Sequence, residues 1–244
     1  MAQPPHDPSA PHWSNQVLAA LPAAELDWLL RHSRTIELPQ EMILFGAGDA
    51  IERVFFPHSG VVSLVVELAS GEMIEAAMIG REGVVGGLSA LDGKTSISRA
   101  IVQIAGAATA VDVDQVRYLG EKSASFRTIL IKHEQVLLAQ SQQSAACNAT
   151  HTIEARLSRW LLRCRDLVGG EDLRLTQEFI AQMLGVRRTS VSIVANTLQQ
   201  AGLIKYKRGH IRVLDLEGLR ESACECYESV RLLSDKLIGP PLRG

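Results

Sequence analysis

The sequence predicts an α+β protein in three successive parts: a β-rich first half, one long helix, and a compact helical unit closed by a basic hairpin. Three observations predict it. Between Ile36 and Val113, short apolar runs alternate with glycines at close turn spacing. From about Val116 to Val168 the turn signals vanish, with no proline and Gly120 as the one glycine. From Leu175 to Val213 two short periodic helices flank a glycine and lead into two alternating strands. A chain of 244 residues can bury more than one core, and we divide it at 1–115, 116–149 and 150–244.

The start, MAQPPHDPSAPHW, lacks the basic and apolar regions of a secretory signal, and no run of eighteen apolar residues follows. We expect a frayed N-terminus, a cytoplasmic location and no membrane partner. Residues 14 to 32 read as helical, with Val17, Leu18, Leu21, Leu26, Leu29 and Leu30 apolar and Pro22 breaking the segment in two. The runs that follow, with Gly46, Gly48, Gly60, Gly71, Gly80 and Gly106 as corners, indicate an antiparallel β-roll (jelly roll) rather than βαβ units.

The helical stretch beyond it needs a partner. Leu130, His133/Glu134, Leu137, Leu138, Ser141 and Ala145 form a narrow, partly small-residue seam. Such a seam suits a parallel coiled coil between two copies, and packing on the chain's own roll is the other reading. We take Leu130, Leu137, Leu138, Ser141 and Ala145 as dimerisation residues. A polar interruption at Asn148, Ala149 and Thr150 marks a hinge before a helix carrying Ile153, Leu157, Trp160, Leu161 and Cys164.

Cys147, Cys164, Cys224 and Cys226 are too few and scattered for a disulfide scaffold. Only Cys224-Glu225-Cys226 is close-set. With no second ligand pair nearby in sequence, we read these as ordinary helix residues and expect no metal site and no cofactor.

In the last part, Thr176 is placed to cap a helix carrying Phe179, Ile180, Met183 and Leu184, and Gly185 permits a tight turn. Val191, Val194 and Leu198 then form an inward stripe. This leaves Arg187, Arg188, Thr189, Ser190, Ser192 and Asn196 near the helix start or on its outer face. Gly202 ends that helix, and Lys205 and Lys207 alternate with Ile204 and Tyr206. Arg208-Gly209 turns the chain, and Arg212 alternates with Ile211 and Val213. This is a winged helix-turn-helix, a unit that reads DNA. We assign base contacts to Arg187, Arg188, Thr189, Ser190 and Ser192, and phosphate contacts to Thr176, Lys205, Lys207, Arg208 and Arg212. Charge agrees: residues 151 to 213 hold 11 Lys and Arg against 5 Asp and Glu, whereas 1 to 150 hold 10 against 16. The net charge of −2 hides a basic module attached to an acidic one.

A β-roll, a long helix and a winged helix-turn-helix in that order, from about residue 15 to 215, resemble the Crp/Fnr family of bacterial transcription regulators. The motif A-x-x-L-G-V-x-R, here Ala181, Leu184, Gly185, Val186 and Arg188, carries the resemblance most specifically. It implies a two-fold dimer with a recognition helix in each major groove of a near-palindromic double-stranded DNA site, and RNA polymerase as a further partner wherever binding activates. Well-known members carry an Arg, an adjacent Glu and a second Arg on that helix. Arg188 matches the first, while Thr189 and Ile193 replace the others and Arg187 replaces the usual capping Ser.

The roll departs further from the family's cyclic-nucleotide pocket. Gly87 stands where a ribose-binding Glu would be, Glu82 comes five positions early, and Arg99-Ala100 matches the arginine step. Glu82, Gly86, Gly87 and Arg99 are the candidates for a small anionic effector other than cyclic AMP. A salt-bridged Arg99 and a plain β-roll corner are the alternatives. The first cysteine is Cys147, so the N-terminal cluster that would hold an iron–sulfur centre is absent, and His58, His133, His151 and His210 are too isolated in sequence to suggest haem. A sensor acting through a protein partner is the rival reading, and the basic outer face of the second helix favours DNA. No nucleophile elbow, P-loop or His-Glu-x-x-His occurs, so we expect no enzyme.

Overall fold

The computed structural model describes residues 14–93 and 95–239. The frayed start expected for residues 1–13 lies outside the described residues. Two short helices come first, α1 (Gln16–Ala19) and α2 (Ala23–Arg31), and Pro22 separates them as expected. Buried Asn15 caps α1 by accepting from the Leu18 amide at 3.1 Å. Its amide group donates to the carbonyls of Pro57 at 2.9 Å and Gly83 at 2.8 Å, fixing the helix to the roll.

The roll comprises β1 (Ser33–Leu38), β2 (Ile43–Phe45), β3 (Arg53–Pro57), β4 (Val61–Glu67), β5 (Met73–Ile79), β6 (Arg99–Ile104) and β7 (Gly106–Asp112). The strands pair antiparallel in two sheets, β1-β7-β3 and β2-β6-β4-β5. Two of the corner glycines are required by close approach. A Cβ at Gly106 would lie 2.2 Å from the Ser59 carbonyl oxygen, and one at Gly60 would lie 2.5 Å from that of Ile104. A short helix, α3 (Gly87–Leu91), follows Gly86, whose φ of 83° is left-handed.

The helical stretch breaks twice, at Ser123 and at His151-Thr152, the second break falling just after Asn148, Ala149 and Thr150, the expected interruption, which are themselves helical. It consists of α4 (Val113–Lys122), α5 (Ala124–Thr150) and α6 (Ile153–Val168). Ser123 caps α5 through the Phe126 amide, and Thr152 caps α6 through the Ala155 amide. Each side-chain cap gives a new helix its own start, and it is the one at Ser123 that the absence of glycine and proline conceals.

Phe126, Leu130, His133 and Leu137 of α5 are buried, and the three apolar ones join the roll's core with Leu38, Phe56, Val102 and Val111. This corrects the dimer seam. Leu130 and Leu137 pack within their own chain, whereas Leu138 is 58% exposed, Ala145 is exposed and Ser141 half-buried. The outward apolar positions include Ile131, Leu138 and Ala145, one heptad apart and shifted by one residue from the buried pair.

A second core joins the roll to the C-terminal part. Val61, Val65, Met78 and Ile101 of the four-stranded sheet meet Leu157, Trp160, Leu161 and Cys164 of α6. That core continues into α7 (Gln177–Leu184), α8 (Arg188–Gln200), β9 (Ile204–Lys207) and β10 (His210–Val213). The wing has three strands instead of the two expected, because β8 (Asp172–Arg174) pairs with the free edge of β10. Three residues are too few to show an alternation in the sequence. The chain closes with α9 (Leu216–Glu221) and α10 (Cys226–Ile238), and α10 packs along α5 and α6.

Candidate nucleic-acid interface and roll cavity

The helix-turn-helix forms as its residues dictate. Thr176 Oγ1 accepts from the Phe179 amide at 3.2 Å, and Gly185 takes φ 61° at the C-cap of α7. Buried Arg156 of α6 donates to the Leu184 carbonyl at the end of α7, tying the turn to the domain's first helix. Val191, Ala195 and Leu198 bury the inner face of α8 with Val194 packed beside them, close to the expected stripe. Arg187, the N-cap, offers no side-chain acceptor to the first turn, and Arg188 and Thr189 are exposed next to it.

Two of the predicted reading groups are engaged within the chain. Ser192 Oγ donates to Gln177 Oε1 at 2.6 Å, and Arg188 stands 3.9 Å from Glu178 with both side chains mostly exposed, an ion pair of little strength. Ser190 is half-buried. Ile193, passed over as a contact, is 69% exposed on the outer face of α8. An apolar side chain two positions beyond an inward valine, on a polar face, is the signal that could have found it.

In the wing, Arg208 (φ 48°) and Gly209 (φ 79°) form a two-residue turn closing the Lys207–His210 pair. Lys205, Lys207, Arg208 and Arg212 are all exposed, with Arg212 3.6 Å from Asp172. The β4–β5 hairpin reaches this module too. Ile74 touches Gly185, and residues 70–74 share a cleft with Arg187 and Arg188.

The effector candidates separate. A cavity of about 300 Å³ in the roll is lined by Gly86, Gly87 and apolar side chains including Phe45, Leu64, Ile97 and Leu138. Neither Glu82 nor Arg99 lines it. Arg99 Nη2 pairs with Glu67 at 2.7 Å and Nη1 donates to the Met73 sulfur, while Glu82 Oε1 accepts from Arg163 of α6 at 2.9 Å. Among the described lining residues none is a Lys or Arg, and the one ionisable group, Glu134, is held above the usual carboxylate range by burial. Glu82, Gly86, Gly87 and Arg99 therefore do not form one anion site in this cavity, where an anion would enter without a countercharge. The glycine loop is a packing corner: a Cβ at Gly83 would lie 2.1 Å from His133 Nε2.

At the junction of roll and α6, buried Glu75 meets Trp160 Nε1–H at Oε1 (3.0 Å) and Ser63 Oγ at Oε2 (2.6 Å), and Ser63 also donates to Gln103 Oε1 at 2.5 Å. Ser63 donates to Glu75 and so favours the charged carboxylate, against the cost of burying it. Burial prevails, raising the Glu75 carboxyl to about 7 against the lowering effect of its Ser63, Trp160 and arginine neighbours. His133 moves the other way, to about 4, first by burial and then by the nearby Arg163, and its Nε2 accepts from the Val84 amide at 3.3 Å.

The cysteines do not stay scattered, which corrects the reading that Cys224 and Cys226 have no second ligand pair near them. The fold carries Cys147 and His151 to Cys224 and Cys226, and the four ligand atoms all lie within 4.8 Å of one another. No spacing in the sequence shows this, because the two pairs meet only when α10 packs on α5.

A β-roll joined through a long helix to a winged helix-turn-helix with a basic, outward face defines the class: a DNA-binding transcription regulator. Residues 155–222 match the Crp-like helix-turn-helix domain. The global nitrogen regulator of Nostoc sp. is 26% identical over 179 residues, covering 70% of this chain and 80% of that protein. In fold, the chain is similar to FixK2 from Bradyrhizobium japonicum (TM-score 0.67, 16% identity, 79% of this chain and 98% of that one). It is likewise similar to the c-di-GMP responsive global regulator CLP of Xanthomonas campestris (TM-score 0.63, 19% identity, 79% and 99%). The C-terminal module thus matches the Crp-like helix-turn-helix domain, and the chain as a whole is similar in fold to regulators of the Crp/Fnr family. Among the described residues, no helix is long and apolar enough to cross a membrane.

Proposed function

We propose that the protein acts as a homodimer that reads a near-palindromic operator, one α8 in each of two major grooves about one helical turn apart. The observation that carries this reading is the division of α8: Val191, Ala195 and Leu198 are buried, while Arg187, Arg188, Thr189 and Ile193 face solvent. Arg188 suits the acceptor pair of guanine, and Ile193 suits a thymine methyl. Lys205, Lys207 and Arg208 on the wing, with Arg212, suit phosphates, as does the side-chain-uncapped first turn of α8. Thr176 has its hydroxyl oxygen committed to the α7 cap, leaving its proton for a phosphate oxygen.

Ile131, Leu138 and Ala145 supply the two-fold seam. The roll cavity opens beside it, with Glu134, Leu138 and Ser141 of α5 in its wall, so an uncharged, largely apolar effector bound there would touch the seam directly. Selection of random duplexes by the purified protein at about physiological salt tests the reading. A palindromic motif that disappears with Arg188→Ala supports it. Sequence-blind binding in both wild type and variant refutes it.

A further inference from the structure

We propose that Cys147, His151, Cys224 and Cys226 bind one zinc ion in a Cys3His site that clasps the end of α5 to the start of α10. Cys147 lies in the last turn of α5 and His151 is its C-cap, whose amide donates to the Cys147 carbonyl and so holds the two residues together. Cys224 and Cys226 flank Glu225 at the entrance to α10. Cys147 Sγ lies 3.5 Å from Cys224 Sγ, and Cys226 Sγ lies 3.5 Å from His151 Nδ1. A tetrahedron with zinc–sulfur bonds of about 2.3 Å has edges of about 3.8 Å, so these spacings leave room for one ion after small adjustments. A multi-iron cluster would have to spread the same ligands apart by its own width. Three soft thiolates and an imidazole are the donors that zinc favours, and four protein ligands leave no open position, the mark of a structural site.

The surroundings fit the ion independently of the ligands. His151 directs Nδ1 at the cysteines and places Nε2 3.3 Å from Glu225 Oε1, the carboxylate–histidine pairing that orients a metal-bound imidazole. Gln143 Nε2 donates to Cys226 Sγ at 3.0 Å, and Arg156 and Arg159 lie near enough to act electrostatically on Cys147, opposing the net negative charge of three thiolates on a dication. All three cysteines are buried, and the His151 side chain, 24% exposed, gives the ion a way in. The clasp spans the α5–α6 junction at His151 and Thr152 and fixes α10 across it.

The test uses the full chain, purified reduced and without oxygen. We expect one zinc per chain by elemental analysis. Exchange for Co2+ should give the visible bands of a tetrahedral thiolate site, Cys224→Ser should lose them, and a chelator should lower the melting temperature of the wild type only. His151→Cys should keep the metal and shift the Co2+ bands toward those of four thiolates, a readout that holds even if Cys224→Ser fails to fold. A folded wild type that takes up no Co2+ overturns the proposal, as does a His151→Cys spectrum identical to wild type. A chain isolated with iron and acid-labile sulfide, or with a Cys147–Cys224 disulfide and no metal, also overturns it.

Discussion

Trp160 donates its indole N–H to Glu75 at 3.0 Å across 85 positions of sequence, and this bond lies where α6 meets the outer face of the β-roll. It satisfies a buried carboxyl oxygen and ties the first helix of the DNA-binding module to β5. Trp160→Phe keeps most of the packing but orphans that oxygen. We expect a loss of about 1–3 kcal/mol in urea unfolding. A stability within error of wild type would show that the bond is not needed at this junction.

Two buried groups give opposing pH dependences. Glu75, raised to about 7, favours the folded state when protonated. Its contribution is full below about 4.5 and is lost as pH rises through about 7. His133, lowered to about 4, favours the folded state when neutral, with a contribution full above about 6.5 and lost as pH falls through about 4. Each is worth about 3 kcal/mol across its window, and in the wild type they offset each other. Glu75→Gln should therefore leave a protein that weakens toward acid, and His133→Gln one that weakens as pH rises to about 7. Urea midpoints over this range read the slopes directly, and equal slopes in all three proteins would contradict the assignment.

For DNA, Arg188→Ala should cost about 1–3 kcal/mol on the selected operator and relax preference at one position of each half-site. Lys205→Ala and Lys207→Ala should weaken binding to all sequences alike, each lowering the slope of log affinity against log salt by about one. Titrations at several salt concentrations separate the two behaviours. A salt slope unchanged by either lysine removes the wing from the phosphate contacts.

On α5, neighbouring leucines should answer differently. Leu138→Asp places a charge on the outward seam and should give a folded monomer by sedimentation. Leu137→Ala opens a cavity in the roll's core and should cost about 2–5 kcal/mol of stability while leaving the association state alone. If Leu138→Asp sediments as wild type, the Ile131–Leu138–Ala145 stripe is not the interface.

Local patterns alone determined the architecture. Strand periodicity with turn glycines specified the strands of the roll, and the cap, stripe and glycine of Thr176, Val191 and Gly185 specified the helix-turn-helix, because alternation, capping and turn geometry are set by residues a few positions apart, although the strands then pair over distances such as Ser33 to Val111. Tertiary structure decided what depends on which surfaces meet. It sent Leu130 inward and Leu138 outward, a distinction that two adjacent leucines cannot show in sequence. It added β8 to the wing through backbone pairing, which needs no side-chain signature. It turned Arg99 and Glu82 away from the cavity toward Glu67 and Arg163, since a buried charge is stabilised by whichever countercharge the fold brings near. It also gathered Cys147, His151, Cys224 and Cys226 from both ends of a loop of more than seventy residues, a convergence created only when α10 packs against α5.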